Sequence, residues 1–285
     1  MNTCAIIYKI IISCVLFFKH AQAHTSLGKA GSYTVFPDGN AGQRITKKEV
    51  LTPLTIKQSV NAEENVMVIM PYESSEEFFV EDLGEIDKKP LYSFFKRAFD
   101  IIFSIMALLI LALPMAIIAI LVKFSNKSSG GTVLYHQERL GLNGAKIDVI
   151  KFRTMRMDAE NNGAQWSNGD DDPRITPLGR VLRKTRLDEL PQFWCILKGE
   201  MTLVGPRPER EIFYDEFDKY IHGFRERLKV KPGLTGYAQV CGGYYLKPEE
   251  KIVYDVEYIK KRSMWMDFKI VLRTLKVVIT GEGSK

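Results

Sequence analysis

The chain has 285 residues, 46% hydrophobic and 26% charged, with a formal net charge of +6, so it can hold one large domain or two modest ones around a sizeable core. Its four cysteines (4, 14, 195, 241) form no CxxC pair and its four histidines are scattered. This usage excludes a disulfide framework, argues against a Cys- or His-ligated metal site, and fits a reducing compartment.

Charge is unevenly spread. Residues 1–87 hold 7 basic and 11 acidic side chains, a net of −4, while residues 88–285 hold 33 and 23, a net of +10. The basic part favours anionic partners: phosphates, nucleic acid or an acidic membrane face. The first apolar run, residues 5–18, is interrupted by Lys9 and falls short of the roughly 20 residues that cross a bilayer. With small residues at 21–23 it imitates a secretory signal, although residues 1–8 of the chain carry no basic side chain. Residues 24–87 are polar, turn-rich and then acidic. We read residues 1–87 as a variable tether or accessory segment without chemistry.

The second apolar run is the informative one. Residues 101–122 carry no charge and would measure about 33 Å as one straight helix. Lysines and arginines flank it on both sides (Lys88, Lys89, Lys96, Arg97; Lys123, Lys127), which gives no orientation by loop charge. Pro114 removes a backbone donor near its middle. These features favour a re-entrant hairpin over residues 88–124 that breaks at Pro114 and leaves by the face it entered; the alternative is a kinked transmembrane helix.

Residues 125–285 read as the soluble part of the chain. Two β-rich runs, 133–136 and 146–151, flank a Gly/Asn-rich connector and predict a hairpin whose second strand delivers Lys151 and Arg153. A polar loop follows with three acids, residues 170–172, a weak metal signature. Leu178, Val181, Leu182 and Thr185 fit one face of a helix. A second helix is predicted to start at Asp188, with Pro191 in its first turn and Gly199 just past its end.

Asp188 and Glu189 are adjacent acids with Arg174, Arg180, Arg183, Lys184, Arg186, Lys198 and Arg207 within about twenty residues. A helix cap with surface ion pairs explains this blandly. The sharper explanation is a polyanion held by arginines while a carboxylate acts on it. An Asp at a helix N-terminus among guanidinium groups should stay ionised at neutral pH and is then a potential nucleophile. Glu189 could hold a divalent cation. Arg207 lies between Pro206 and Pro208, which restrict its backbone. The run KPGLTG (231–236) signals a close backbone approach. Near the end, Trp265, Phe268, Leu272, Leu275 and Ile279 form a helical stripe with Lys269, Arg273 and Lys276 between them. Core packing is the commoner origin of such a stripe; a helix lying flat among lipid headgroups is the other.

The ordered set KRAFDI, the Pro-interrupted apolar run, KFRTM, DPRITPLGRVLRKTRLDELPQ, LKGEMTLVGPRP and KPGLTGYAQV resembles the bacterial sugar transferase family, monotopic polyprenyl-phosphate sugar-1-phosphate transferases, over residues 90–285. The resemblance implies an α+β, mainly helical fold: a membrane-embedded re-entrant hairpin plus a cytosolic helical domain with a small β-hairpin, at the cytoplasmic membrane. It implies a UDP-sugar and a polyprenyl phosphate as substrates, UMP as product, Mg²⁺ as cofactor, the lipid bilayer as partner, and no nucleic acid. By likeness Asp188 is the nucleophile, Glu189 the metal ligand, Arg183 and Arg207 phosphate-facing, with Lys151 and Arg153 beside them, and Pro114 the hairpin break. The chain departs from the family at Tyr237 (often Trp), Cys195 and Cys241 (Asn) and Gly243 (Arg), which puts donor specificity in doubt. The rival enzyme is a metal-dependent glycosyltransferase using residues 170–172 and releasing UDP; the rival without chemistry is a membrane scaffold.

Overall fold

A computed structural model describes residues 58–60, 67–69, 77–125, 131–161, 172–242 and 246–280. The early apolar run, its signal-like site, Asp170, Asp171 and Gly243 lie outside the described residues. What is described is mainly helical, with four two-stranded sheets among the described residues. Strands β1 (Gln58–Val60) and β2 (Met67–Ile69) pair antiparallel. Strand β3 (Phe78–Phe79) opens an acidic strap that pairs with a later strand.

Helix α1 (Pro90–Ile110) and helix α2 (Ala112–Ser125) meet at a 62° bend. The break falls at Leu111, three residues before Pro114, which sits inside the first turn of α2. Proline carries no N–H for the carbonyl four residues back and its ring crowds that carbonyl, so the helix opens ahead of the proline. No single described helix is long and apolar enough to cross a membrane; the bent pair together meets that length and composition. The pair is inverted in polarity. Asp100 and Ser104 are buried, while Phe94, Ile102, Met106, Leu109, Ile110 and Leu113 are exposed. Asp100 turns inward because it accepts from the Thr202 hydroxyl (2.7 Å) and the Leu203 amide (2.9 Å).

The predicted hairpin is present: β4 (Leu134–Leu140) pairs antiparallel with β5 (Lys146–Phe152), the first strand running four residues past its predicted end. Helices α3 (Pro177–Lys184) and α4 (Gln192–Lys198) follow. Thr176 caps α3 by accepting from the Gly179 amide at 3.0 Å. Gly199, at φ 90, ends α4, and Arg97 donates to its last carbonyls, Ile196 (2.7 Å) and Leu197 (2.8 Å). Strand β6 (Thr202–Val204) leads to α5 (Glu211–Phe217). Strand β7 (Ile221–His222) pairs in parallel with β3, and β8 (Gly233–Thr235) in parallel with β6. Helices α6 (Tyr237–Cys241), α7 (Pro248–Lys261) and α8 (Met264–Thr280) complete the fold.

Three apolar clusters hold these elements. Val149, Ile196, Met201, Ile259 and Ile270 centre the largest, Phe213, Tyr214, Phe217 and Phe224 the second, and Ile118, Val122, Phe152 and Leu182 the third. The stripe on α8 does not join them. Trp265, Phe268, Leu272 and Leu275 are exposed, and the inward face carries Asp267 and Ile270. Periodicity says that a helix has two faces without saying which looks in. Here the inward face is set by Asp267, which takes Lys96 at 2.6 Å and Tyr258 at 2.8 Å.

Candidate active site

Asp188 and Glu189 stand on a single 3₁₀ turn, Leu187–Glu189, between α3 and α4. The expected helix start at Asp188 is corrected: α4 begins at Gln192, with Pro191 as its N-cap. Arg186 adopts the left-handed region (φ 59), uncommon for a side chain of its size, and turns the chain into the 3₁₀ segment. Both acids are nevertheless buried, at 7% and 8% exposure.

Four elements bring cations to them. From β5 comes Lys151, on the strand face that also carries Tyr135, Gln137 and Arg139 of β4. From α3 comes Arg183, whose Nε donates to Thr154 Oγ1 at 3.0 Å. That helix sits tightly on the end of β5, since a side chain on Gly179 would reach within 2.0 Å of the Thr154 carbonyl oxygen. From the loop after β6 comes Arg207, in a two-pronged ion pair with Glu189: Nη2 to Oε1, and Nη1 to Oε2 at 3.4 Å. From β4 comes Arg139, which sequence reasoning passed over. It ion-pairs with Glu209 at 3.7 Å and lies among the charges that act on Lys151. Period-two alternation in YHQERL, set against Lys151 in the hairpin register, was the signal that could have found it.

The two acids are electrostatically distinct. Burial and the neighbouring Glu189 push the Asp188 carboxyl up to about 6, against the pull of Lys151, Arg183 and Arg207. The direction is upward, opposite to the depression expected of an Asp at a helix N-terminus. Burial alone would raise Glu189 too; Arg207, by charge and hydrogen bonding, holds it down at about 2. Burial, with Arg139 and Arg207 nearby, lowers the Lys151 ammonium to about 7.

Asp188, Glu189, Lys151, Arg183 and Arg207 are thus brought together. Arg153 donates to Thr132 Oγ1 (2.8 Å) and stacks over Tyr135 (5.2 Å), the residue opposite Lys151 in the hairpin register. Of the acids at 170–172, Asp172 is buried and gripped by Arg174 at 2.9 and 2.6 Å. Among the described residues no three His, Cys, Asp or Glu side chains cluster as a metal site. Cys195 is fully buried, its Sγ against the Asp148 carbonyl (3.4 Å). Its departure from the family residue therefore bears on packing. Tyr237 meets Tyr254 edge-on at 5.7 Å.

The KPGLTG run also finds its partner here. A side chain on Gly233 would lie 2.1 Å from the Gly205 nitrogen, and one on Gly236 2.3 Å from the Gly205 oxygen. The glycines let β8 press against the start of the loop that carries Arg207.

The sequence profile of bacterial sugar transferases matches residues 91–281, and the chain belongs to that family. A UDP-N-acetylgalactosamine-undecaprenyl-phosphate N-acetylgalactosaminephosphotransferase of Aeromonas hydrophila is 40% identical over 71% of this chain and 48% of its own length. A UDP-glucose:undecaprenyl-phosphate glucose-1-phosphate transferase of Escherichia coli is 38% identical over 69% and 44%. The exopolysaccharide production protein ExoY of Sinorhizobium fredii is 36% identical over 73% of this chain and 94% of its own length. The chain thus spans about half the length of the first two and nearly all of the third.

Proposed function

We propose that this chain transfers a sugar-1-phosphate from a UDP-sugar to a polyprenyl phosphate at the cytoplasmic membrane, releasing UMP and starting an exopolysaccharide or O-antigen-type glycan. The observation that carries this reading is the buried Asp188–Glu189 pair enclosed by Lys151, Arg183 and Arg207. Two relatives whose names include a UDP-sugar and undecaprenyl phosphate support the choice of substrates.

Asp188 is the nucleophile. Its carboxylate oxygen attacks the β-phosphorus, the bond to the bridging oxygen breaks, and UMP leaves with that electron pair. An oxygen of the lipid phosphate then attacks the same phosphorus and the Asp188 carboxylate departs, so each half-reaction exchanges one phosphoryl linkage for another. Lys151, Arg183 and Arg207 offset the repulsion between the anionic partners. Two neighbouring carboxylates with hard oxygen donors suit Mg²⁺, which commonly takes one or two protein carboxylates and fills its shell with phosphate and water. Glu189 would hold it, and the ion would supply charge neutralisation on the phosphates. Arg207 engages both Glu189 oxygens here, so it would release at least one of them on turning to phosphate.

The apolar exterior of α1 and α2 and the stripe on α8 support embedding in one leaflet, with the flanks of the hairpin on the cytoplasmic side. The test is a panel of UDP-sugars with lipid-reconstituted protein. UMP is the expected product, and donor without lipid should leave a sugar-phosphate adduct on Asp188 by mass spectrometry. UDP as product would instead indicate direct glycosyl transfer.

A further inference from the structure

Prolines at 206 and 208 deprive the loop around Arg207 of two amide donors, so it is anchored through its carbonyls. Four in a row are engaged. Pro206 accepts from the Gly233 amide (2.8 Å), Arg207 from Arg227 Nη2 (2.8 Å), Pro208 from Arg139 Nη1, and Glu209 from the Leu140 amide (3.0 Å). Two of these donors are guanidinium groups brought from distant elements. Arg227 comes from the 3₁₀ segment Phe224–Lys229, with its side chain only 2% exposed. There it ion-pairs with Asp255 of α7 at 2.8 Å, and Phe224 and Tyr214 cover it at 5.0 and 5.9 Å. Arg139 is fixed in turn by Gln137 (2.7 and 3.0 Å) and paired with Glu209.

A buried ion pair contributes little net stability beside an apolar pair of similar volume. What Arg227 and Asp255 do contribute is a fixed donor under Arg207, whose side chain grips Glu189. We propose that Arg227, steadied by Asp255 and assisted by Arg139, is a positioning residue for Arg207, holding its backbone so that its guanidinium meets Glu189 and the substrate phosphate at a fixed place. The inference rests on the reading that Arg207 binds phosphate. In this role Arg227 acts through the Arg207 carbonyl, so its contribution should vanish when the Arg207 side chain is gone.

The test uses the full chain in detergent with inorganic pyrophosphate as probe, binding measured by calorimetry. Arg227→Lys keeps the charge opposite Asp255 but loses the planar fork. The pair Arg227→Met with Asp255→Met removes donor and ion pair together while filling the same space. Read on whichever keeps the wild-type melting curve, the change should weaken pyrophosphate binding about tenfold. In an Arg207→Ala background the same change should cost less than about twofold. Unchanged affinity, a full additional loss on Arg207→Ala, or no pyrophosphate binding by the wild type would each overturn the proposal. A chain that shows the coupling yet releases no UMP from any UDP-sugar leaves the positioning role standing and removes the proposed reaction instead.

Discussion

Two regions of this molecule depart from ordinary burial in opposite directions. Around Asp188 the fold buries charge: two acids lie where apolar side chains normally sit, with half-buried cations about them. Along α1, α2 and α8 it exposes apolar surface and turns Asp100, Ser104 and Asp267 inward. In the first region each acid has cationic neighbours, so the cost of desolvation is answered by Coulomb attraction and hydrogen bonds. In the second, Ile102, Leu109 and Trp265 are exposed among the described residues, and the proposed lipid phase would be the environment that covers them. On the proposed membrane placement, one fold would then serve two solvents. Changes at the two sites should accordingly fail in different assays.

The largest effect is expected at the acids. Asp188→Asn should lower UMP release by on the order of 10⁴ or more, with membrane association and melting temperature retained. Turnover near that of the wild type would remove the covalent route. Next comes Arg207→Ala. Losing a preorganised donor to developing phosphate charge typically costs about 10²–10³ in rate, and this change also frees Glu189 from its ion pair. Initial rates at saturating donor would show it; a loss confined to KM would make Arg207 a binding residue only.

On the apolar side, Leu109→Asp places a charge beside the bend of the hairpin, on a residue 73% exposed. At the bilayer centre such a charge costs about 3 kcal/mol, so a larger share of the chain should leave the membrane fraction on flotation. An unchanged distribution would count against embedding. Cysteine tags at residues 88 and 128 should both react from the cytoplasmic side; reaction from opposite sides would make the pair a kinked span.

The dyad, the prolines around Arg207 and the hairpin were legible because each is local: adjacent residues, a fixed φ, or an alternation across a short turn. What was not legible depends on contacts distant in sequence. Arg227 reaches Arg207 from twenty residues away, and Gly233 presses on Gly205, a meeting that KPGLTG announces without naming a partner. The inward face of α8 stays open in the sequence because apolar stripes usually mean a protein core, whereas three polar bonds to Asp267 decide the matter here. The helix start was misplaced because Asp followed by Pro reads as a cap. Arg186 instead takes the left-handed turn that sets the acids ahead of the helix.

A smaller effect is expected at the joint between the two regions. Asp100→Ala would leave the Leu203 amide and the Thr202 hydroxyl without their acceptor and cost about 2 kcal/mol of stability, measured as a lower melting temperature. Because β6 leads directly to the Arg207 loop, catalysis should fall with it, and this is the change that touches both assays.

The smallest effect lies on the acidic strap, which joins the family domain through paired charges on the surface. Glu81 meets Lys260 and Asp82 meets Lys229 at 3.2 Å, with Glu81 68% exposed. Exposed pairs gain little in water and are screened by salt. Glu81→Ala should therefore shift stability by about 0.5 kcal/mol or less, and raising the salt should abolish even that. The strap's hold comes instead from Phe78, Val80 and Leu83 packed against the cluster of Phe213, Phe217 and Phe224. Val80→Asp should loosen it far more than Glu81→Ala, with proteolysis between residues 77 and 89 as the readout. Equal protection in the two variants would mean that surface charge, not apolar burial, fastens this segment.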